Sequence, residues 1–164
     1  MTNKKHIIGL NKEELQKLCL EFGEPKFRAE QLYEWIYRHG CSNFELMDNI
    51  NKSFRNFLNK HYILNTLEVD TKDSSSQDKS IKILFKTHDG QFIESVSMVD
   101  GNRHTACLSS QIGCALDCKF CATGKLGLKR NLTAGEIIEQ LIYIKKNINN
   151  PITNVVFMGM GEPF

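Results

Sequence analysis

The sequence predicts an α/β chain in three parts. A small helical N-terminal domain covers residues 1–70, a linker and β-hairpin connector covers 71–104, and a βαβ unit covers 105–164. Apolar residues recur at helical spacing in the first part, and the period changes to two after a serine-rich stretch. A strand, loop, helix, strand order then follows, opened by a loop that holds three cysteines.

The helical part has start and stop signals. Asn11 followed by Glu14 is a capping-box pattern, Leu15, Leu18, Cys19 and Phe22 share one face behind it, and Gly23 closes the run. Pro25 enters a second helix with Leu32, Trp35 and Ile36 as its stripe, and Gly40 ends it. Phe54, Phe57 and Leu58 mark a third. No cofactor motif accompanies these aromatics, so they read as core, and Cys19 and Cys41 read as packing residues.

Asp70 to Lys79, with Ser74, Ser75 and Ser76 inside it, has the composition of an exposed loop. Ile81, Ile83 and Phe85 then alternate with polar neighbours, Asp89-Gly90 supplies a hairpin turn, and Phe92 to Val99 returns. On that strand Glu94 shares a face with Phe92, Val96 and Met98. Among apolar neighbours its carboxyl would be raised and suited to moving a proton; on a solvated face it is an edge charge, and spacing leaves both open.

Thr105 to Ser110 reads as a strand leading into the cysteine loop, Thr133 and Glu136 as a second capping box, and Ile137, Ile138, Leu141 and Ile144 as the packing stripe of a helix. Asn154 to Met158 reads as a buried strand. A βαβ unit makes the two strands parallel, so the cysteine loop and the Gly159–Pro163 loop leave from the same end and face one another.

Cys114, Cys118 and Cys121 stand in CxxxCxxC spacing. Three thiolates are one fewer than a closed zinc site or a four-cysteine iron–sulfur cluster needs, which leaves a position open for chemistry. The chain has 164 residues, 41% of them hydrophobic, and a net charge of +2. No apolar run is long enough to span a bilayer, and the N-terminus has no apolar signal core, so a cytoplasmic location with reduced thiols is expected. Lys119, Lys125, Lys129 and Arg130 fall in a stretch without an acid, which serves as a solvated face or as a phosphate contact.

These motifs together resemble radical S-adenosylmethionine enzymes. The run from Cys107 through Cys121 to Gly124, then Gly127 to Thr133, then Gly159-Met-Gly-Glu-Pro163, is similar to the bacterial adenine-C2 RNA methyltransferases that modify 23S rRNA and tRNA, and Gly23 to Ala29 matches the same family. The resemblance implies the opening of a partial (β/α)6 barrel. It implies a 4Fe-4S cluster on Cys114, Cys118 and Cys121, and S-adenosyl-L-methionine whose amino group meets Gly161 and Glu162. It also implies an external one-electron donor of the flavodoxin kind. Glu94 matches the family's proton acceptor, and Cys107 its second catalytic cysteine, which forms a disulfide with the cysteine that carries the methyl group.

Adenine C2 is electron-poor and offers no lone pair, so polar methylation cannot work there and a radical route is required. The family places its methyl-carrying cysteine near the C-terminus, whereas this sequence holds fewer than two of the expected βα units. The expectation is a truncated product or gene fragment that binds the cluster and part of the cofactor without completing methylation. Three rivals stand beside this reading: the related adenine-C8 rRNA methyltransferases, which Glu162-Pro163 and the N-terminal module disfavour; a nucleic-acid-binding module with zinc on the three cysteines and either Cys107 or His104; and an inactive RNA-binding remnant.

Overall fold

Local hydrogen bonding decides where the first helices begin and end. In the computed structural model, which describes residues 4–116 and 118–163, strand β1 (Lys5–His6) precedes helix α1 (Lys12–Phe22). Met1–Asn3, Asp117 and Phe164 lie outside the described residues, and with them one position of the CxxxCxxC run and the start of the polar N-terminus. Asn11 accepts the Glu14 amide at 3.0 Å while the Glu14 carboxylate accepts the Asn11 amide at 2.7 Å. The helix ends at Gly23, whose φ of +88° a side chain would resist. Helix α2 (Phe27–Tyr33) runs directly into a π-helical turn at Glu34–Arg38, and Asn51 caps α3 (Lys52–His61), which leads into β2 (Tyr62–Ile63).

The unit Met1–Thr66 is built on these elements. Leu15, Leu18, Leu32, Ile36, Phe54 and Leu58 are buried in it, and Phe22 lies 5.0 Å from Phe54 and 4.5 Å from Phe57, ring to ring. Cys19 and Cys41 are buried, and burial pushes the Cys19 thiol up to about 11, as suits a packing residue.

The second unit, Leu67–Phe164, holds a five-stranded sheet. Its strands are β3 (Leu67–Ser74), β4 (Ile81–Thr87), β5 (Phe92–Asp100), β6 (Arg103–Cys107) and, last in the chain, β9 (Asn154–Val156), in the order β3-β4-β5-β6-β9. Short strands β7 (Gln111–Ile112) and β8 (Arg130–Asn131) pair with each other, and helix α4 (Ala134–Asn147) lies between β8 and β9 in sequence. All pairings in the large sheet are antiparallel except β6 with β9. The hairpin is therefore continuous with the βαβ unit through the β5–β6 ladder.

Two expectations need correction. Residues 70–74, read as loop, belong to β3: seven of its eight residues are exposed, so its outward side chains carry charge and hide the strand signal. The last strand is shorter than read and is not buried, because β9 is a sheet edge; Val155 is 43% and Met158 80% exposed. One face of the sheet packs Ile83, Phe85, Ile93 and Ala106 against Ile144, Ile137 and Leu141 of α4, with Phe85 and Tyr143 edge to face. Among the described residues no helix is long and apolar enough to cross a membrane.

Candidate functional site

The parallel β6–β9 pair sends two loops out from one end, and backbone hydrogen bonds join them there. Leu108 donates to the Val156 carbonyl at 2.9 Å and Gly159 donates to the Leu108 carbonyl at 3.1 Å, extending the ladder past both strands. Ser110 and Gln111 both donate to the Met160 carbonyl, at 2.9 and 3.1 Å. The expectation that the cysteine loop and the Gly159–Pro163 loop lie together is met at their bases.

Three polar side chains tie this junction down. The Ser109 hydroxyl donates to the Glu94 carbonyl at 2.6 Å and accepts the Met160 amide at 2.8 Å. Gln140 of α4, fully buried, accepts the Ser109 amide at 2.9 Å and the Ser95 hydroxyl at 2.6 Å, and donates back to the Ser109 carbonyl at 3.1 Å. The Gln111 amide oxygen accepts the Glu162 backbone N–H at 3.0 Å. Gly161, at φ +102°, lies where a Cβ would press into the Gln111 side chain, so this loop needs glycine for both its twist and its close approach.

The cysteine loop leaves this base as a closed excursion. Ile112 accepts from Lys129, Ser110 accepts from Leu132, and a Cβ on Gly113 would run into the Gly127 carbonyl, so its two ends touch. Cys114 is buried with its sulfur 3.4 Å from the Leu116 amide, while Cys118 and Cys121 are partly exposed. The backbone N–H of Gly124, seconded by Thr123, holds the Cys121 thiol below its ordinary value. Phe120 beside it is 93% exposed. The three cysteines share this loop, yet among the described residues no three His, Cys, Asp or Glu side chains are gathered as a group that could hold a metal ion.

The basic run does not act as one patch. Arg130 binds Asp89 through Nε at 2.8 Å and Nη2 at 3.1 Å, and Glu136 through Nη1 and Nη2, each at 2.8 Å. Lys129 donates to Gln91 at 2.6 Å. Both therefore fasten the loop base to the hairpin tip, and Arg130 has its guanidinium edge filled by two carboxylates instead of a phosphate. His104, offered as a zinc ligand, is buried with Nε2 at 2.7 Å from the Ser97 hydroxyl and Nδ1 at 2.9 Å from the Asn150 carbonyl, so both ring nitrogens are engaged.

Glu94 and Cys107 lie on the same face of the sheet, the one opposite α4. Cys107 stands across from Val96, one step diagonal from Glu94 along β5. Glu94 is 45% exposed and 3.3 Å from Lys82. Its neighbours on that face, Phe92 and Met98, are themselves exposed. Cys107 is buried; burial pushes its thiol up, and the Met158 amide beside it pulls the other way.

Sequence reading singled out the cysteines, Glu94, Cys107 and the Gly161-Glu162 loop as candidates, and gave no role to Ser109, Gln111 or Gln140. The signal available was the polar run Ser109-Ser110-Gln111 inside an otherwise apolar strand exit, and a glutamine on the sheet-facing side of α4.

A family model described as the ribosomal RNA large subunit methyltransferase N-terminal domain matches residues 5–64. The chain is 46% identical over 170 residues to the dual-specificity RNA methyltransferase RlmN of Wigglesworthia glossinidia brevipalpis, covering 99% of this chain and 44% of that one. It is 43% identical over 162 residues to a Prochlorococcus marinus protein named as a probable RlmN, covering 99% and 47%. The crystal structure of a radical SAM methyltransferase from Sphaerobacter thermophilus superposes with a TM-score of 0.90 at 39% identity, over 98% of this chain and 48% of that one.

Proposed function

This chain belongs to the RlmN family, spanning about half the length of the curated relatives it matches, and from that membership we propose that it forms the cofactor-binding front of a radical methyltransferase acting on adenine C2 of 23S rRNA and tRNA. A bound 4Fe-4S cluster and S-adenosyl-L-methionine would supply the one-electron chemistry that an electron-poor carbon requires, with electrons from an external donor. Cys114, Cys118 and Cys121 would hold the cluster. The donor set fits: three soft thiols on one closed loop, with the Cys121 thiol drawn toward thiolate by backbone amides.

Gly161 and Glu162 would meet the amino group of the cosubstrate, and Gln111 holds their backbone in place by accepting the Glu162 amide. Glu94 would accept the proton lost from the base, with Lys82 as its counter-ion. Cys107, on the same sheet face, would serve as the second catalytic thiol. The observation that carries this reading is the joining of the two loops through Ser109 and Met160 at one end of the β6–β9 pair.

Anaerobic reconstitution with iron and sulfide tests it. The expected result is about four irons per chain and the absorption of a 4Fe-4S cluster, an electron-resonance signal that shifts on adding S-adenosyl-L-methionine, and loss of the bound iron in Cys118→Ala. Zinc uptake with no iron or sulfide would sink the proposal.

A further inference from the structure

In the N-terminal unit, away from every motif used above, a hollow of 350 Å³ gathers Lys4, Lys5 and Lys60 around the rings of Phe57, His61 and Tyr62. Among the described residues, Glu21 is the single acid on its wall. A second hollow of 220 Å³ shares Lys4 and Tyr62 with the first and is lined by Ser42, Asn43, Asn59 and Asn65. The two form a continuous surface that is cationic and aromatic on one side and amide-rich on the other.

The fold creates this gathering. Residues 1–66 carry ten basic and eight acidic side chains, so the unit as a whole is nearly balanced. The parallel pairing of β1 with β2 sets Lys5 in register with Tyr62, immediately after the last turn of α3 that carries Lys60 and His61. Lys4 is held over the same helix end, its amine donating to the Asn59 carbonyl at 2.7 Å. Phe57 lies 4.7 Å from His61 and 6.3 Å from Tyr62, ring to ring, and is backed by Phe22, which makes a ring surface supported from beneath.

Amines at fixed places suit phosphates, a supported ring surface suits the face of a base, and asparagine amides both donate to and accept from base edges. An acidic peptide would use the amines and leave the rings and amides without a purpose. We propose that the paired hollow is a binding site for an unpaired stretch of RNA, with phosphates on Lys4, Lys5 and Lys60 and a base against His61 and Tyr62. This rests on the reading of the chain as part of an RNA methyltransferase and names where in its N-terminal unit the substrate is held.

The test is fluorescence anisotropy of a labelled, unstructured RNA oligonucleotide with the 164-residue chain across a salt series. The triple variant Lys4→Gln/Lys5→Gln/Lys60→Gln is expected to bind about tenfold or more weakly, with a log K against log salt slope shallower by about 2. His61→Ala is expected to lose about tenfold with the slope unchanged. The control Lys17→Gln/Lys26→Gln/Lys52→Gln removes three exposed lysines of the same unit and should keep most of the affinity. Equal loss in both triples, no loss in the first, no RNA binding at all, or displacement by polyglutamate as easily as by unlabelled RNA each overturns the proposal. Iron and sulfide uptake is read on the same samples. A chain without a cluster but with groove-dependent RNA binding refutes the cofactor reading alone, and a cluster without groove dependence refutes the groove alone.

Discussion

Ser109 uses both sides of its hydroxyl on backbone groups, the Glu94 carbonyl and the Met160 amide, while Gln140 takes up its own amide and carbonyl. A buried glutamine that satisfies both polar groups of one residue is costly to replace, because an apolar side chain leaves those groups dry and unpaired. Gln140→Leu should therefore lower unfolding free energy by about 2–3 kcal/mol, and Ser109→Ala by about 1–2 kcal/mol, read from urea denaturation. Both should also release reconstituted iron faster. A Gln140→Leu midpoint within error of the parent would show that water or backbone shift replaces these bonds. The polar run at Ser109 and the glutamine on α4 mark polar positions in an apolar setting, but not that they pair, because hydrogen bonding between residues 31 apart depends on how α4 docks. The cysteine motif was legible for the opposite reason: its spacing is local.

Arg130 joins three elements: its own strand β8, the β4–β5 turn through Asp89 and the first turn of α4 through Glu136. The guanidinium holds the Asp89 carboxyl well below the usual carboxylate range. Burial alone would raise Glu136, but the hydrogen bonds from Arg130 and Thr133 outweigh it and its net shift is downward. Both depressed values mean that the unfolded chain binds these protons first as pH falls. The clamp's contribution is thus complete at neutral pH and declines below about pH 4, where free carboxyls titrate. Arg130→Gln should cost about 2 kcal/mol at pH 7, a figure kept low because Arg130 and Asp89 are each about a third exposed. The difference from the parent should shrink toward pH 3; a cost independent of pH would mean that packing, not charge, holds the loop base. At this scale the capping boxes at Asn11 and Thr133 and the Asp89-Gly90 turn were readable in sequence, since each is settled within four residues. The strand β3 was not, because an edge strand with a charged outer face lacks the apolar alternation that identifies buried ones.

Across the Leu67–Phe164 unit, the two edges of the sheet are protected unequally. At β3 the edge carries Glu68, Asp70, Lys72 and Asp73 and its register shifts between Val69 and Thr71, so charge and a bulge both oppose pairing with another strand. At β9 the edge is short, carries no charge from Asn154 to Met158, and leaves Val155, Phe157 and Met158 exposed at 43%, 46% and 80%. Among the described residues β9 pairs with β6 alone, so its outer side has no neighbouring strand. An unpaired apolar edge recruits another copy of itself. Sedimentation velocity should accordingly show association that grows with concentration, and Val155→Lys/Phe157→Lys should suppress it, because each lysine must be desolvated to bring a second strand alongside. Cluster uptake by the double variant should be retained, since neither residue belongs to the cysteine loop. A chain that stays monomeric at every concentration would show that three strand residues are too few to template pairing, and would place the limit on β9's length instead of its exposure.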